Sequence, residues 1–348
     1  MTSRELCRRA ITFRRPERLP MSYPSFGVCD LGVFAYTAPK QWRPSRPGQD
    51  EWGAVWRKTE VENMGQMVEH PIQDWGQVAE YVFPDPDDPS RFDRMETQLA
   101  EQPDMYAVAI AETVLTLWER YYSLRGFSQA LTDICLYPSQ MHNLLERILD
   151  FHIRIVRNLS QRFRGRIDAF FVSDDWGTET TTLVAPPVWR EFFKDRYHRL
   201  CDAIHDGGMH AILHTDGRIN GLIPDFIEVG FDALNLHSPT VVGIEEVGLA
   251  FAGKVGFLPC IDIQHTYVSG TVEDVRREAR LLLEYWGTRD GGVIPTEYDR
   301  SAVGAPPENL EAAYRAFAEL GMEHCGRRTQ RRMACRRLDG RKPPPGLE

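Results

Sequence analysis

Two short apolar runs, each ending in a cluster of polar residues and a glycine, constrain this chain more than any other feature. The first reads Asp168-Ala169-Phe170-Phe171-Val172-Ser173-Asp174-Asp175-Trp176-Gly177. The second reads Met209-His210-Ala211-Ile212-Leu213-His214-Thr215-Asp216-Gly217. Between them, Pro186 to His205 has the proline start, charged faces and apolar spacing of a helix. Strand, helix, strand with polar groups just past the strands' C-terminal ends is the repeating unit of a βα fold, and ligands bind at that edge.

The rest of the chain supplies more of these units. Strands are expected at Arg18–Ser25, Met105–Ala111, Phe231–Leu236, Lys254–Leu258 and Gly292–Pro295, with an eighth in the irregular region before Asp104. Helices are expected at Ser3–Thr12, Val114–Leu124, Ser128–Tyr137, Ser139–Arg164, Gly221–Val229, Gly243–Phe251, Val272–Tyr285 and Pro307–Leu320. Repeated βα units over a chain of 348 residues favour one closed (β/α)8 TIM barrel over an open sheet. Phe26 to Asp104 is an irregular N-terminal excursion rich in Trp, Pro and Gly, with a hairpin expected at Ala54–Val61. Such an excursion either covers a site or forms a packing subdomain. Residues 1–321 form the barrel in this reading, and 322–348 is a basic tail, poor in apolar residues and expected to be disordered.

Bulk properties remove several function classes. A net charge of -9 argues against a nucleic-acid binder, which needs a broad basic surface. No apolar run is long enough to span a bilayer. Seven cysteines without a C-x-x-C pair fit a reducing compartment, so the expectation is a soluble cytoplasmic protein.

A barrel demands polar groups at strand C-termini, and they gather at Asp174, Asp175, His214, Asp216, His237, Asp262 and Glu297. His214 and Asp216 are two apart in an extended segment, so both face the mouth. A histidine and a carboxylate so placed can bind a divalent metal or form an acid/base pair. Glu297 on the last strand is the expected third metal ligand. The catalytic candidates are His214, Asp216 and Asp174. Asp175, Trp176, His237 and Tyr298 are the candidates for holding a small-molecule substrate. Asp174 and Asp216 also have plain readings as helix caps.

Several blocks together resemble the uroporphyrinogen decarboxylase superfamily. They are Asp174-Asp175-Trp176-Gly177-Thr178, Pro187-Val188-Trp189, His214 through Gly217 with Ile223-Pro224, Phe231 through Asn235, and Ile261-Asp262-Ile263-Gln264. Ser269-Gly270-Thr271, Pro306 through Asn309 and the early Asp50 through Trp56 continue the match. The resemblance independently implies a single (β/α)8 barrel. It also implies one of two chemistries. The decarboxylases carry an early Arg-Gln-Ala-Gly-Arg block and a Gly-His-Gly turn after the last strand. This chain has Arg18-Leu19-Pro20-Met21 and Pro295-Thr296-Glu297-Tyr298 instead. The other branch transfers methyl groups from a corrinoid carried by a partner protein, with zinc bound through His-x-Cys and a later cysteine. Here His214 is kept, but Asp216 and Glu297 replace the cysteines, a harder ligand set that fits zinc or a harder divalent ion. The resemblance therefore implies a corrinoid-linked methyltransferase. The alternatives are a divergent decarboxylase and a non-catalytic tetrapyrrole- or corrinoid-binding barrel.

Overall fold

The computed structural model describes residues 1–58 and 65–338, with side chains as far as Met322. Seven strands lie around one barrel, labelled here in chain order: β1 Ser22–Tyr23, β2 Leu31–Tyr36, β3 Tyr106–Ala111, β4 Ala169–Ser173, β5 His210–His214, β6 Ala233–Leu236 and β7 Gly256–Pro259. Six of them, β2 to β7, pair in parallel in sequence order. Segment 292–297 occupies the eighth position. The Ile294 N–H donates to Phe257 O, and the Thr296 N–H donates to Pro259 O. On its other side the Ser22 N–H donates to Pro295 O, and the Glu297 N–H donates to Ser22 O. The ring closes where the Asp30 N–H reaches Met21 O and the Ser22 hydroxyl reaches Leu31 O. The eighth strand expected in the irregular region is β2, whereas the first and last are shorter than the sequence implies.

Two-residue alternation sorts the strands' side chains into two cores. Tyr106, Val108, Ala169, Ile212, Ala233, Leu258 and Ile294 fill the barrel interior. Cys7, Ala10 and Ile11 of the first helix, Ser3–Ile11, join them and plug one end. The intervening Ala107, Ala109, Phe170, Val172, Ala211, Leu213, Leu234 and Leu236 face the surrounding helices.

The helices fall close to their expected spans, and Val272–Tyr285 coincides with its own. The helix between β4 and β5 contains a π turn at Arg190–Lys194, flanked by Pro186–Trp189 and Asp195–Asp206. In the excursion, Val55–Arg57 pairs with Gln66–Glu69 as an antiparallel hairpin. Residues 59–61 of the expected hairpin lie outside the described residues. The last helix, Pro307–Leu338, runs well past Leu320. Its arginine-rich extension has few helix-breaking residues, so charge alone does not stop it. Part of the segment expected to be disordered is therefore helical, and 339–348 lies outside the described residues. Among the described residues no helix is long and apolar enough to cross a membrane.

Candidate active site

The loops after β4 and β5 are pressed together, backbone against backbone. A Cβ on Gly177 would stand 2.4 Å from the Gly217 carbonyl carbon, and one on Gly217 would stand 2.3 Å from that of Gly177. Gly217 also has a φ of 80°, which side-chain-bearing residues rarely adopt. Only glycines allow this approach, and it sets Asp175 beside Asp216. The Asp216 N–H donates to Asp175 Oδ1 at 2.9 Å.

His214 shares the inward parity of Ile212 and sits at the C-terminal end of β5. Its Nδ1 lies 3.0 Å from Asn235 Oδ1 and 3.2 Å from Asn235 O. The Asn235 amide nitrogen donates to Leu258 O at 2.7 Å, which fixes its oxygen toward the imidazole. Both Nδ1 neighbours are acceptors, so Nδ1 carries a proton and Nε2 is the nitrogen that faces the mouth. That Nε2 is 3.9 Å from Asp216 Oδ2 and 3.8 Å from Asp175 Oδ1.

His237 follows β6 with the same inward parity as Asn235. Its Nδ1 is 3.9 Å from Asp216 Oδ2, its ring centroid is 4.3 Å from that of His214, and its N–H donates to Asp216 Oδ1. Burial, and then the neighbouring His214, hold its pKa well below the usual histidine range, so the ring is neutral and able to offer a lone pair. His214, Asp216 and His237 each offer a potential ligand atom within 4.8 Å of the others, close enough together to hold a metal ion. Three such groups would leave coordination positions open to other molecules. Asp175 stands at the edge of this set, its carboxyl raised by burial against the opposing pull of His214. Phe171 stacks near His214, and the Tyr298 ring meets His237 edge-on at 4.8 Å. No arginine or lysine pairs with Asp175 or Asp216 among the described residues.

Four expected roles change. Glu297 is not the third ligand, because Ile294, Thr296 and Tyr298 take the inward parity and Glu297 the outward one. Its carboxylate accepts from the Ser25 N–H and hydroxyl. His237, expected as a substrate contact, is the residue brought beside His214 and Asp216 instead. Asp174 and Trp176 share the outward parity of Phe170 and Val172, so neither reaches the mouth. The Asp174 carboxylate is fully buried and accepts from the Leu117 N–H, the Glu119 N–H and the Tyr197 hydroxyl. Trp176 is buried among Trp118, Phe193 and Trp189. Asp262 likewise serves the loops, accepting from the Gln264 and His265 N–H groups of its own loop and from the Thr240 N–H after β6.

Asn235 was not among the candidates. An asparagine at an inward position of a buried strand is its only sequence signal. Cys260, the next inward position after Leu258, is buried, and its thiol donates to His237 O at 3.8 Å.

A parallel barrel with convergent polar groups at the C-terminal ends of β4, β5 and β6 defines the class of (β/α)8-barrel proteins that bind ligands at that rim. The chain belongs to the uroporphyrinogen decarboxylase (URO-D) family, which it matches over residues 59–320. Two curated relatives from Methanosarcina barkeri, one of them from strain Fusaro / DSM 804, are each described as methylcobamide:CoM methyltransferase MtaA. They are 21% and 20% identical over 189 residues. The aligned part is 52% of this chain, which spans about half, 50%, of the length of those relatives. A solved methyltransferase from Methanosarcina mazei shares the fold, with a TM-score of 0.66 and 14% identity, covering 92% of this chain and 99% of that one. The family and these relatives are enzymes.

Proposed function

We propose that this protein is a methyltransferase of the corrinoid-linked kind, binding a divalent metal through His214 Nε2, Asp216 Oδ2 and the His237 ring. The observation that carries the reading is the convergence of those three groups at one barrel mouth, with His214 held in the ligand tautomer by Asn235. The residues fit such an ion: two imidazoles and one carboxylate suit zinc or a harder divalent ion better than a thiolate-loving one. When bound, the ion would lower the pKa of a thiol or other acceptor so that it reacts as the anion. The chain's own contribution is positioning and proton handling. Asn235 keeps the His214 lone pair directed into the mouth. Asp175, less acidic than an ordinary carboxyl and unpaired with any cation, is placed to take the acceptor's proton. Tyr298 and Phe171 wall the space beside the two rings. The methyl donor in this reading is a methylated corrinoid delivered by a partner protein, supported by the relatives that act on a methylcobamide. A divergent decarboxylase is the less favoured reading, since a polycarboxylate substrate needs cations beside its charges.

Isothermal titration of zinc, manganese and magnesium tests the metal. His214→Ala and His237→Ala should each lose binding by at least about a hundredfold, while Glu297→Ala retains it. Equal affinity in wild type and His214→Ala would remove the metal. Transfer from methylcobalamin to a small thiol, followed by the cobalamin spectrum, then tests the reaction.

A further inference from the structure

Beside the mouth, between the excursion hairpin and the N-terminal half of the helix Trp118–Arg125, lies an open cavity of about 430 Å³ that the metal cluster does not line. Its walls include Trp56, Met67, Tyr122 and Phe127. Phe127 is 44% exposed, a large apolar ring left facing open space. Glu119 and His70 line the same cavity, with Gln66 also at its edge. Glu119 is 8% exposed, with its carboxyl oxygens held by the Tyr122 hydroxyl at 3.1 Å and the Ser173 hydroxyl at 3.2 Å. No cation pairs with it among the described residues, and burial followed by the charges of Asp175 and Asp174 raises its pKa far above the ordinary range. His70 lies with Nδ1 2.9 Å from Ser123 O, so Nδ1 carries a proton and Nε2 is the nitrogen turned away from that contact, the acceptor of the neutral ring.

We infer that this cavity binds a neutral aromatic ring carrying a hydroxyl, the ring against Trp56 and Phe127 and the hydroxyl between Glu119 and His70. The walls supply flat surfaces for a ring, which gains more from stacking than a puckered ring of equal size. A neutral carboxylic acid donates a hydrogen bond, and an unprotonated imidazole nitrogen accepts one. A hydroxyl completes both, whereas a carboxylate has no proton to give the His70 nitrogen and would stand near the charge of Asp175. The size falls within the range of small-molecule sites. This inference goes beyond the methyl-transfer reading and does not depend on it, because neither the metal ligands nor a corrinoid takes part.

Isothermal titration of the full chain with phenol, cyclohexanol and benzoate tests it, with no metal or activity involved. Phenol should bind saturably, and cyclohexanol and benzoate should each bind about tenfold or more weakly. Phe127→Ala, at an exposed position that folding tolerates, and Trp56→Ala should each weaken phenol by about tenfold. Glu119→Gln keeps a donor and should retain phenol within about threefold, while Glu119→Leu removes it and should lose about tenfold. Circular dichroism confirms that each variant is folded. No saturable phenol binding, equal binding of phenol and cyclohexanol, or unchanged binding in both Phe127→Ala and Trp56→Ala would overturn the site.

Discussion

At the scale of single residues, a hydrogen bond on the far side of an imidazole decides what its near side can do. His214 directs Nε2 into the mouth because Asn235 occupies Nδ1, and Asn235 is fixed in turn by Leu258 O. Asn235→Ala should therefore lower metal affinity by about 10- to 100-fold without touching a ligand. Titration calorimetry reads the loss directly, and an Asn235→Ala protein that binds metal like wild type would show that the tautomer needs no support. Asp174 illustrates the opposite case. Its carboxylate satisfies three donors inside the helix layer, among them two N–H groups at the start of Trp118–Arg125. Asp174→Ala leaves those donors unpaired and should cost roughly 3 kcal/mol in urea unfolding, with metal affinity unchanged. A loss of metal binding with intact stability would return Asp174 to the mouth.

At the scale of elements, buried acids tie loops to helices and make stability depend on pH. Glu278, on the helix Val272–Tyr285, accepts the Asp262 N–H and so secures the loop after β7. Burial pushes its pKa up to about 7. The folded state then holds this proton more tightly than the unfolded chain, so its contribution is fully present below about pH 4.5 and is lost as pH rises through 7. Glu278→Gln keeps the oxygen acceptor and removes the titration. The variant should gain on wild type by about 2.5 kcal/mol between pH 5 and pH 8, most of what a pKa raised from 4.5 to about 7 supplies. Thermal unfolding of both proteins across that range checks it, and a pH-independent difference would count against the buried acid.

For the whole molecule, the described side chains of the last helix pass from buried to exposed as it reaches Met322. Phe317 and Ala316 are fully buried, Gly321 still packs against Leu19, and Met322 is 72% exposed. Cutting the chain after Met322 should move the melting temperature by no more than about 2 °C, since surface changes of this kind alter stability by about 0.5 kcal/mol or less. A drop of several degrees would mean that the arginine-rich end of the last helix docks on the barrel.

The sequence by itself determined the barrel, because repeated strand–helix units and two-residue alternation are local patterns written directly in residue order. It also determined the rim and the pairing of His214 with Asp216, since two residues apart on a strand face one way wherever that strand lies. The same alternation holds the signal that Asp174, Trp176 and Glu297 face outward: Asp174 and Trp176 fall in step with Phe170 and Val172, and Glu297 falls out of step with Ile294. That signal is usable only once one residue of each strand is known to be inside, and a strand buried on both faces is apolar on both. Only the tertiary structure decided that His237 joins His214 and Asp216, that Asn235 orients His214, and that Glu119 and His70 share a cavity. Each of those relations joins different strands, helices or the excursion. Such distances are set by ring closure and by the contact of Gly177 with Gly217, which no single segment encodes.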